Sequence, residues 1–221
     1  MTAPRRQPAT RQGGRAVRTG RRAGDSGTRE AILRAAREQF AERGYEGATI
    51  RAIAAAASVD PALVHHFYGT KERLFAAAMQ LPFVPSEAIT AALANRPAGQ
   101  PAGAYLVRTA LSLWDSPGVR DAFVGILRSA LTSDQAATML REYVTGAILA
   151  PVASLASGTD PRQTPFRTAL VGSHMLGLAL ARYVLQFPPL ATADADALAA
   201  AIGPTIDRYL TGDIETGAAG R

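Results

Sequence analysis

The 221-residue sequence contains no cysteine. That absence excludes a disulfide scaffold, a thiolate zinc site and a cysteine nucleophile, and it is compatible with a reducing cytoplasm, the expected location. Histidine is scarce as well: only His65, His66 and His174 occur, with no HExxH, GxSxG, P-loop or paired-carboxylate helix motif to accompany them. No catalytic residue, cofactor or metal site is expected. Adjacent His65 and His66 diverge by about 100° on a helix and cannot readily share an ion. Long apolar runs are missing: no stretch of about eighteen apolar residues escapes interruption by Arg, Pro or Asp, and the basic N-terminus is not followed by an apolar core. Neither membrane insertion nor export is expected. Alternating apolar and polar runs of strand length are also absent, and so is any repeat of fixed period.

What is present is alanine-rich and helical in pattern. Hydrophobic residues make up 48% and charged residues 19%, and the length suits one small and one medium domain. The formal charge of +6 is unevenly spread, because residues 1–24 hold seven arginines and no acidic residue. Poor in large apolar side chains, residues 1–24 cannot offset their ordering entropy and are expected to be a disordered arm, able either to lie along DNA phosphates or merely to solubilise. Residues 213–221 are expected to be a second disordered tail.

Ser26 to Thr28 offer capping oxygens for a first helix carrying Ile32, Leu33, Ala36 and Phe40, with Gly44 at its end. Thr49 caps a second helix with Ile53, Ala54 and Ala57 on one face. Ser58-Val59-Asp60 is a three-residue break, and Asp60 with Pro61 starts a third helix at once. Helix, short turn, short helix is the helix-turn-helix pattern. A fourth helix follows the Thr70 cap and carries Leu74, Phe75, Ala78 and Met79. Residues 82–101, with Pro82, Pro85, Pro97 and Pro101, form a connector around a short helical patch. Helical patterning resumes at about 102–115, 119–132, 134–156, 165–187 and 193–210, with Pro151 expected to kink or split the third of these.

The order Phe40, Gly44-Tyr45, Thr49-Ile50-Arg51, Ile53-Ala54, Val59-Asp60-Pro61 and Phe67-Tyr68-Gly69-Thr70-Lys71-Glu72 resembles the N-terminal signature of the tetracycline-repressor (TetR) family over about residues 28–80. The resemblance implies an all-α fold: an N-terminal three-helix helix-turn-helix domain, residues 25–81, and a C-terminal helical ligand-binding and dimerisation domain, residues 82–212. It implies a homodimeric transcriptional regulator that binds double-stranded DNA at a pseudo-palindromic operator and is released by a small molecule. Rival readings are an activator, or a helical interaction protein that no longer binds DNA.

The expected DNA-facing residues are Thr49, Arg51, Pro61, Ala62, Leu63, His65, His66, Phe67 and Lys71. Lys71, the only lysine in the chain, falls at the first position of the fourth helix, where the positive end of the helix dipole opposes a cation by a few tenths of a kcal/mol, roughly. A DNA phosphate would compensate; pairing with a surface carboxylate is the plainer alternative. The family pattern sends Arg51 to a base edge, with bidentate guanine contact as its best chemistry. His65 and Phe67 depart from the hydroxyl-bearing residues common at their positions.

In 165–187 the polar residues Arg167, His174, Arg182 and Gln186 fall on one stripe, and the remaining surface is apolar enough for burial on two sides. By resemblance, this segment and 193–210 would form half of an intersubunit four-helix bundle. Phe83, Tyr105, Trp114, Phe123, Met139 and Tyr143, with Arg128 and His174 as polar groups, are expected to line an apolar ligand pocket.

Overall fold

Helix α1 spans Gly20–Gly47 and buries Ile32, Ala36 and Phe40 completely. The structure, a computed structural model, describes residues 20–116, 118–156 and 158–214, with side chains from residue 25. Most of the arm and the end of the tail therefore lie outside the described residues. The helix begins upstream of the expected cap at Ser26 to Thr28 and takes in residues 20–24, which were expected to be disordered; Arg21, Arg22 and Ala23 are good helix formers and nothing before Asp25 breaks the run. Gly44 leaves helical geometry at φ +73°, which gives the break expected there and turns the chain toward Tyr45.

Helices α2 (Ile50–Ala56), α3 (Pro61–Tyr68) and α4 (Lys71–Ala78) follow in close succession. Each start is fixed by one side chain. Thr49 accepts from the Ala52 amide at 3.1 Å, Asp60 from the Ala62 amide at 2.7 Å and Thr70 from the Arg73 amide at 3.1 Å. Between α2 and α3, Ser58 adopts φ +57°, the Ser58 amide donates to Ala55 O and the Val59 amide to Ala54 O. This pair of bonds closes α2 on a left-handed residue and sets the corner of the helix-turn-helix. Ile53, Ala54 and Val64 fill the corner and are fully buried with Phe40, Leu74 and Phe75. Arg37 Nε donates to Ala78 O at 2.8 Å and ties α1 to the end of α4.

Helix α5 (Pro85–Ala94) leads into α6 (Ala102–Trp114), α7 (Val119–Thr132) and α8 (Asp134–Tyr143). A wide π turn over Val144–Ile148 joins α8 to α9 (Leu149–Ala153). The expected disruption at Pro151 is thus displaced N-terminally. Proline lacks the N–H and clashes with the carbonyl four residues earlier, and that carbonyl, of Ala147, lies inside the widened turn. Helix α10 (Thr164–Ala179) similarly runs into a π turn at Leu180–Val184 before α11 (Pro188–Thr192), and α12 (Ala195–Thr211) closes the chain.

The hydrophobic core has two parts. One joins α1 to α4, and Tyr143 and Ala147 from the body complete it. The other gathers Leu106, Val107, Leu111, Leu178, Ala179, Ile206 and Leu210 from α6, α10, the π turn's flank and α12. Where α6 crosses α12, Gly103 faces Gly203, and the Gly103 amide donates to Asp207 Oδ1 at 2.7 Å. Among the described residues there is no strand, no helix long and apolar enough to cross a membrane, and no group of three His, Cys, Asp or Glu arranged to hold a metal ion.

Candidate nucleic-acid interface and internal cavity

On α3 the inner position is Val64, fully buried, and the exposed positions are Ala62, His65 and His66. Pro61 and Leu63 are half-buried. Phe67 was expected to face outward. Three residues after Val64 it lies only about 60° away around the helix, so it turns back against the head core, with the Arg29 guanidinium 4.8 Å from its ring centroid. His65 Nδ1 lies 2.9 Å from Gly69 O. A carbonyl only accepts, so Nδ1 carries the hydrogen and Nε2 is left facing outward.

On α2, Arg51 is exposed and makes no hydrogen bond or ion pair among the described residues. It is free to reach a ligand. Lys71 occupies the first position of α4, as the sequence implies, but it is not loose: Nζ donates to Glu46 O at 3.1 Å and lies 4.7 Å from the Tyr45 ring centroid. The surface carboxylate pairing considered for it is not formed. Two of its ammonium hydrogens remain for an approaching oxygen, beside the free N–H groups at the start of α4.

Behind this face lies an aromatic cluster that the sequence did not mark as a unit. Tyr143 of α8 sits 4.3 Å from Phe75 and 5.1 Å from Tyr45, centroid to centroid. Burial, reinforced by the Glu72 and Glu46 carboxylates, pushes the Tyr45 phenol up to about 12, and burial pushes Tyr143 higher still, so both are neutral at physiological pH. The Tyr143 hydroxyl is fully shielded and has no hydrogen-bond partner among the described residues. From the same helix, Glu142 accepts from the Glu46 amide at 2.9 Å, and a Cβ on Gly44 would lie 2.5 Å from its carboxylate oxygen. Helix α8 therefore clasps the corner that leads from α1 into α2.

The other side of Phe75 and Tyr143 forms part of the wall of an internal cavity of about 170 Å³. Of the expected lining residues, the structure places Phe83, Trp114, Phe123, Met139 and Tyr143 on the wall. Tyr105, Arg128 and His174 are not on it. Arg128 is exposed on the outer side of α7, His174 lies against Tyr209 at 6.1 Å between centroids, and Tyr105, half-buried on α6 one turn before the cavity-lining Thr109, does not reach the wall. Most of the remaining wall is aliphatic. Leucines and isoleucines of a cavity and of a core follow the same helical spacing, so sequence pattern alone does not separate them.

Arg167 and Arg182 also depart from expectation. Their stripe was expected to be the outer polar face of α10 and its continuation, yet Arg167 is buried, with NH1 donating to Tyr209 O at 3.0 Å and to Gly212 O at 2.9 Å. Arg182 donates to Leu190 O and Ala193 O. These guanidiniums satisfy carbonyls at helix ends, which an apolar side chain would leave unpaired. The solvent-facing stripe of α10 is instead Phe166, Ala169, Ser173, Leu176 and Gly177, with Phe166 49% and Leu176 45% exposed. Helix α12 presents Ala197, Ala200, Ala201 and Pro204 outward.

A helix-turn-helix head with an open α3, set on an all-helical body, defines a nucleic-acid-binding regulator fold. Residues 32–78 match the sequence family described as bacterial regulatory proteins, tetR family, and residues 100–210 match the tetracyclin repressor-like C-terminal domain. The chain belongs to the TetR family. It is 40% identical to a TetR-family regulator from Streptomyces coelicolor over 86% of this chain and 98% of that one, with a TM-score of 0.48. It is also 46% identical over 50 residues to the HTH-type transcriptional repressor AcnR of Corynebacterium efficiens, and 47% identical over 57 residues to AcnR of Corynebacterium glutamicum. These two matches cover 23% and 25% of this chain, and the chain spans less than a third of each curated relative, 27% and 30%.

Proposed function

We propose that this protein is a homodimeric, sequence-specific transcriptional repressor that binds a pseudo-palindromic operator and leaves it when a small molecule fills the internal cavity. The observation that carries the reading is the free Arg51 on α2 beside an α3 face of Ala62, His65 and His66 at a well-formed helix-turn-helix corner. Residues 25–81 form the DNA-binding head and 82–212 the ligand-binding and dimer-forming body. Such a protein acts in the cytoplasm, where the chromosome is, as a regulator and not as an enzyme.

Arg51 supplies the main base contact, since a guanidinium reaches guanine O6 and N7 together. His65, its Nδ1 committed to Gly69, offers Nε2 as an acceptor to an exocyclic amine or, when protonated, as a donor to a phosphate. Ala62 with Pro61 and Leu63 gives apolar contact to thymine methyls. Lys71 and Thr49 serve the phosphates, and the head's remaining selectivity comes from DNA shape. Phe75 and Tyr143, shared between cavity wall and head core, support ligand control: a molecule that spreads the wall moves α4 and α8 against the corner of α1 and α2. The displacement of the equilibrium cannot exceed the ligand's differential affinity for the two arrangements.

Selection from a random DNA pool tests the reading, and recovery of two half-sites about one helical turn apart, roughly 34 Å or a multiple of it, is the expected outcome. An enriched pool without two-fold symmetry, or none at low salt, defeats it. Arg51→Ala is expected to relax preference at one base pair per half-site, at about 1–3 kcal/mol, in a competition assay. Lys71→Ala is expected to weaken binding to all sequences alike and to lower the slope of log K against log salt by about one unit for each head.

A further inference from the structure

We infer that the effector is a neutral, hydrocarbon-rich molecule of one to two rings, held in the cavity bounded by Trp114, Phe123, Met139, Met175 and Thr109. The inference rests on the reading of that cavity as the effector site. It follows from what the wall lacks: of the residues around the space, none is Asp, Glu, Lys, Arg or His. A carboxylate or ammonium entering it would lose its hydration and meet no opposite charge.

The polar groups that do belong to the wall cannot repair that loss. The Tyr143 phenol is neutral, and its shielded hydroxyl is out of reach of even a water molecule, so it offers the cavity ring carbon only. Thr109 provides one hydroxyl and Trp114 one indole N–H, enough to orient a single polar atom of a ligand. The nearest ionic cluster is spent on itself. Asp115 accepts from Arg120 at 2.7 Å and from the Tyr183 hydroxyl at 3.1 Å, and lies 3.6 Å from Arg182; the Tyr183 ring, edge-on to Trp114 at 6.0 Å, is interposed on that side.

Shape and size agree with the charge argument. Trp114 and Phe123 lie parallel, 10° apart with centroids 5.0 Å from one another, while the thioethers of Met139 and Met175 can adjust around an inserted ring. An apolar cavity of about 150 Å³ is known to stay dry and take up benzene. At about 170 Å³ this one suits a ligand of that order.

Indane, 2-indanecarboxylate and 2-aminoindane share one skeleton and differ in charge. Trp114 is the chain's only tryptophan, so its emission reports the cavity directly. Titration of the full-length protein is expected to give a saturable emission change with indane, and binding about 100-fold weaker or worse with both charged analogues. Ala110→Phe, which fills the space from α6, is expected to abolish the indane response while retaining helicity by circular dichroism; Ile126→Phe replaces it should that variant fail to fold. Equal or tighter binding of either ion, tighter binding of decanoate than of indane, no saturable change with indane, or an unchanged response in the folded filling variant would each overturn the inference. Operator binding measured in parallel keeps the two readings separate: indane that binds without releasing DNA counts against ligand-controlled repression and leaves the ligand class standing.

Discussion

Ser173→Arg is expected to leave the fold intact, convert the proposed dimer to a monomer, and weaken binding to a full operator by about 100-fold or more. Ser173 is exposed in the middle of the α10 stripe, where Phe166 and Leu176 also meet solvent in a single chain. Within one chain an arginine there has room. Across a two-fold axis on this stripe the two copies would bring two cations together as they lose water. Loss of the partner removes the tether that makes engagement of the second half-site intramolecular, and that tether is worth about 10²–10⁴ in affinity when the geometry permits both contacts. Sedimentation and a gel-shift titration on full and half operators read the two consequences separately. A variant that stays dimeric would show that subunits meet elsewhere.

Gly203→Val carries the largest expected cost to stability. A Cβ at Gly203 would stand 2.7 Å from both the Cα and the N of Ala104, so the obstacle is backbone, which cannot swing aside as a side chain does. Valine would force α6 and α12 apart, strain the Gly103 amide's bond to Asp207 and open the core around Leu106 and Ile206. A loss of about 3 kcal/mol or more is expected in urea unfolding, at the upper end of overpacking effects. Gly125→Ala is the control: nothing stands within 4 Å of a Cβ there, and alanine in a helix interior should stabilise by about 0.5–1 kcal/mol. Equal effects at the two positions would mean that helix propensity, not the crossing, governs Gly203.

Local signals in the sequence carried the head well. Thr49, Asp60 and Thr70 are side chains whose oxygens satisfy amides two or three residues on, so their effect is written in neighbouring residues. The ends of helices were harder to see. Ser58, Gln80 and Gln186 all take positive φ where glycine would be the ordinary signal, held there by bonds such as Leu81 N to Ala76 O that only the assembled turn reveals. The π turns at Val144–Ile148 and Leu180–Val184 left no mark beyond prolines some residues downstream. Arg167 shows the limit of helical-wheel arguments: which way its side chain faced depended on the carbonyls of Tyr209 and Gly212, more than forty positions away, and the π turn at Leu180–Val184 shifts the register on which the stripe was read. The aromatic members of the cavity were legible as large residues on apolar helices, whereas His174 and Arg128 were singled out as rare polar groups, a criterion that says nothing about direction.

The Tyr143 bridge has a practical corollary for anyone wishing to graft specificity between regulators of this build. A head severed after residue 81 would retain Tyr45 and Phe75 but lose the phenol ring seated against them and the Ala147 methyl beside it, leaving an aromatic socket without its plug. Swapping solvent-facing side chains of α2 and α3 preserves that socket; moving the whole head requires the donor's α8 to travel with it.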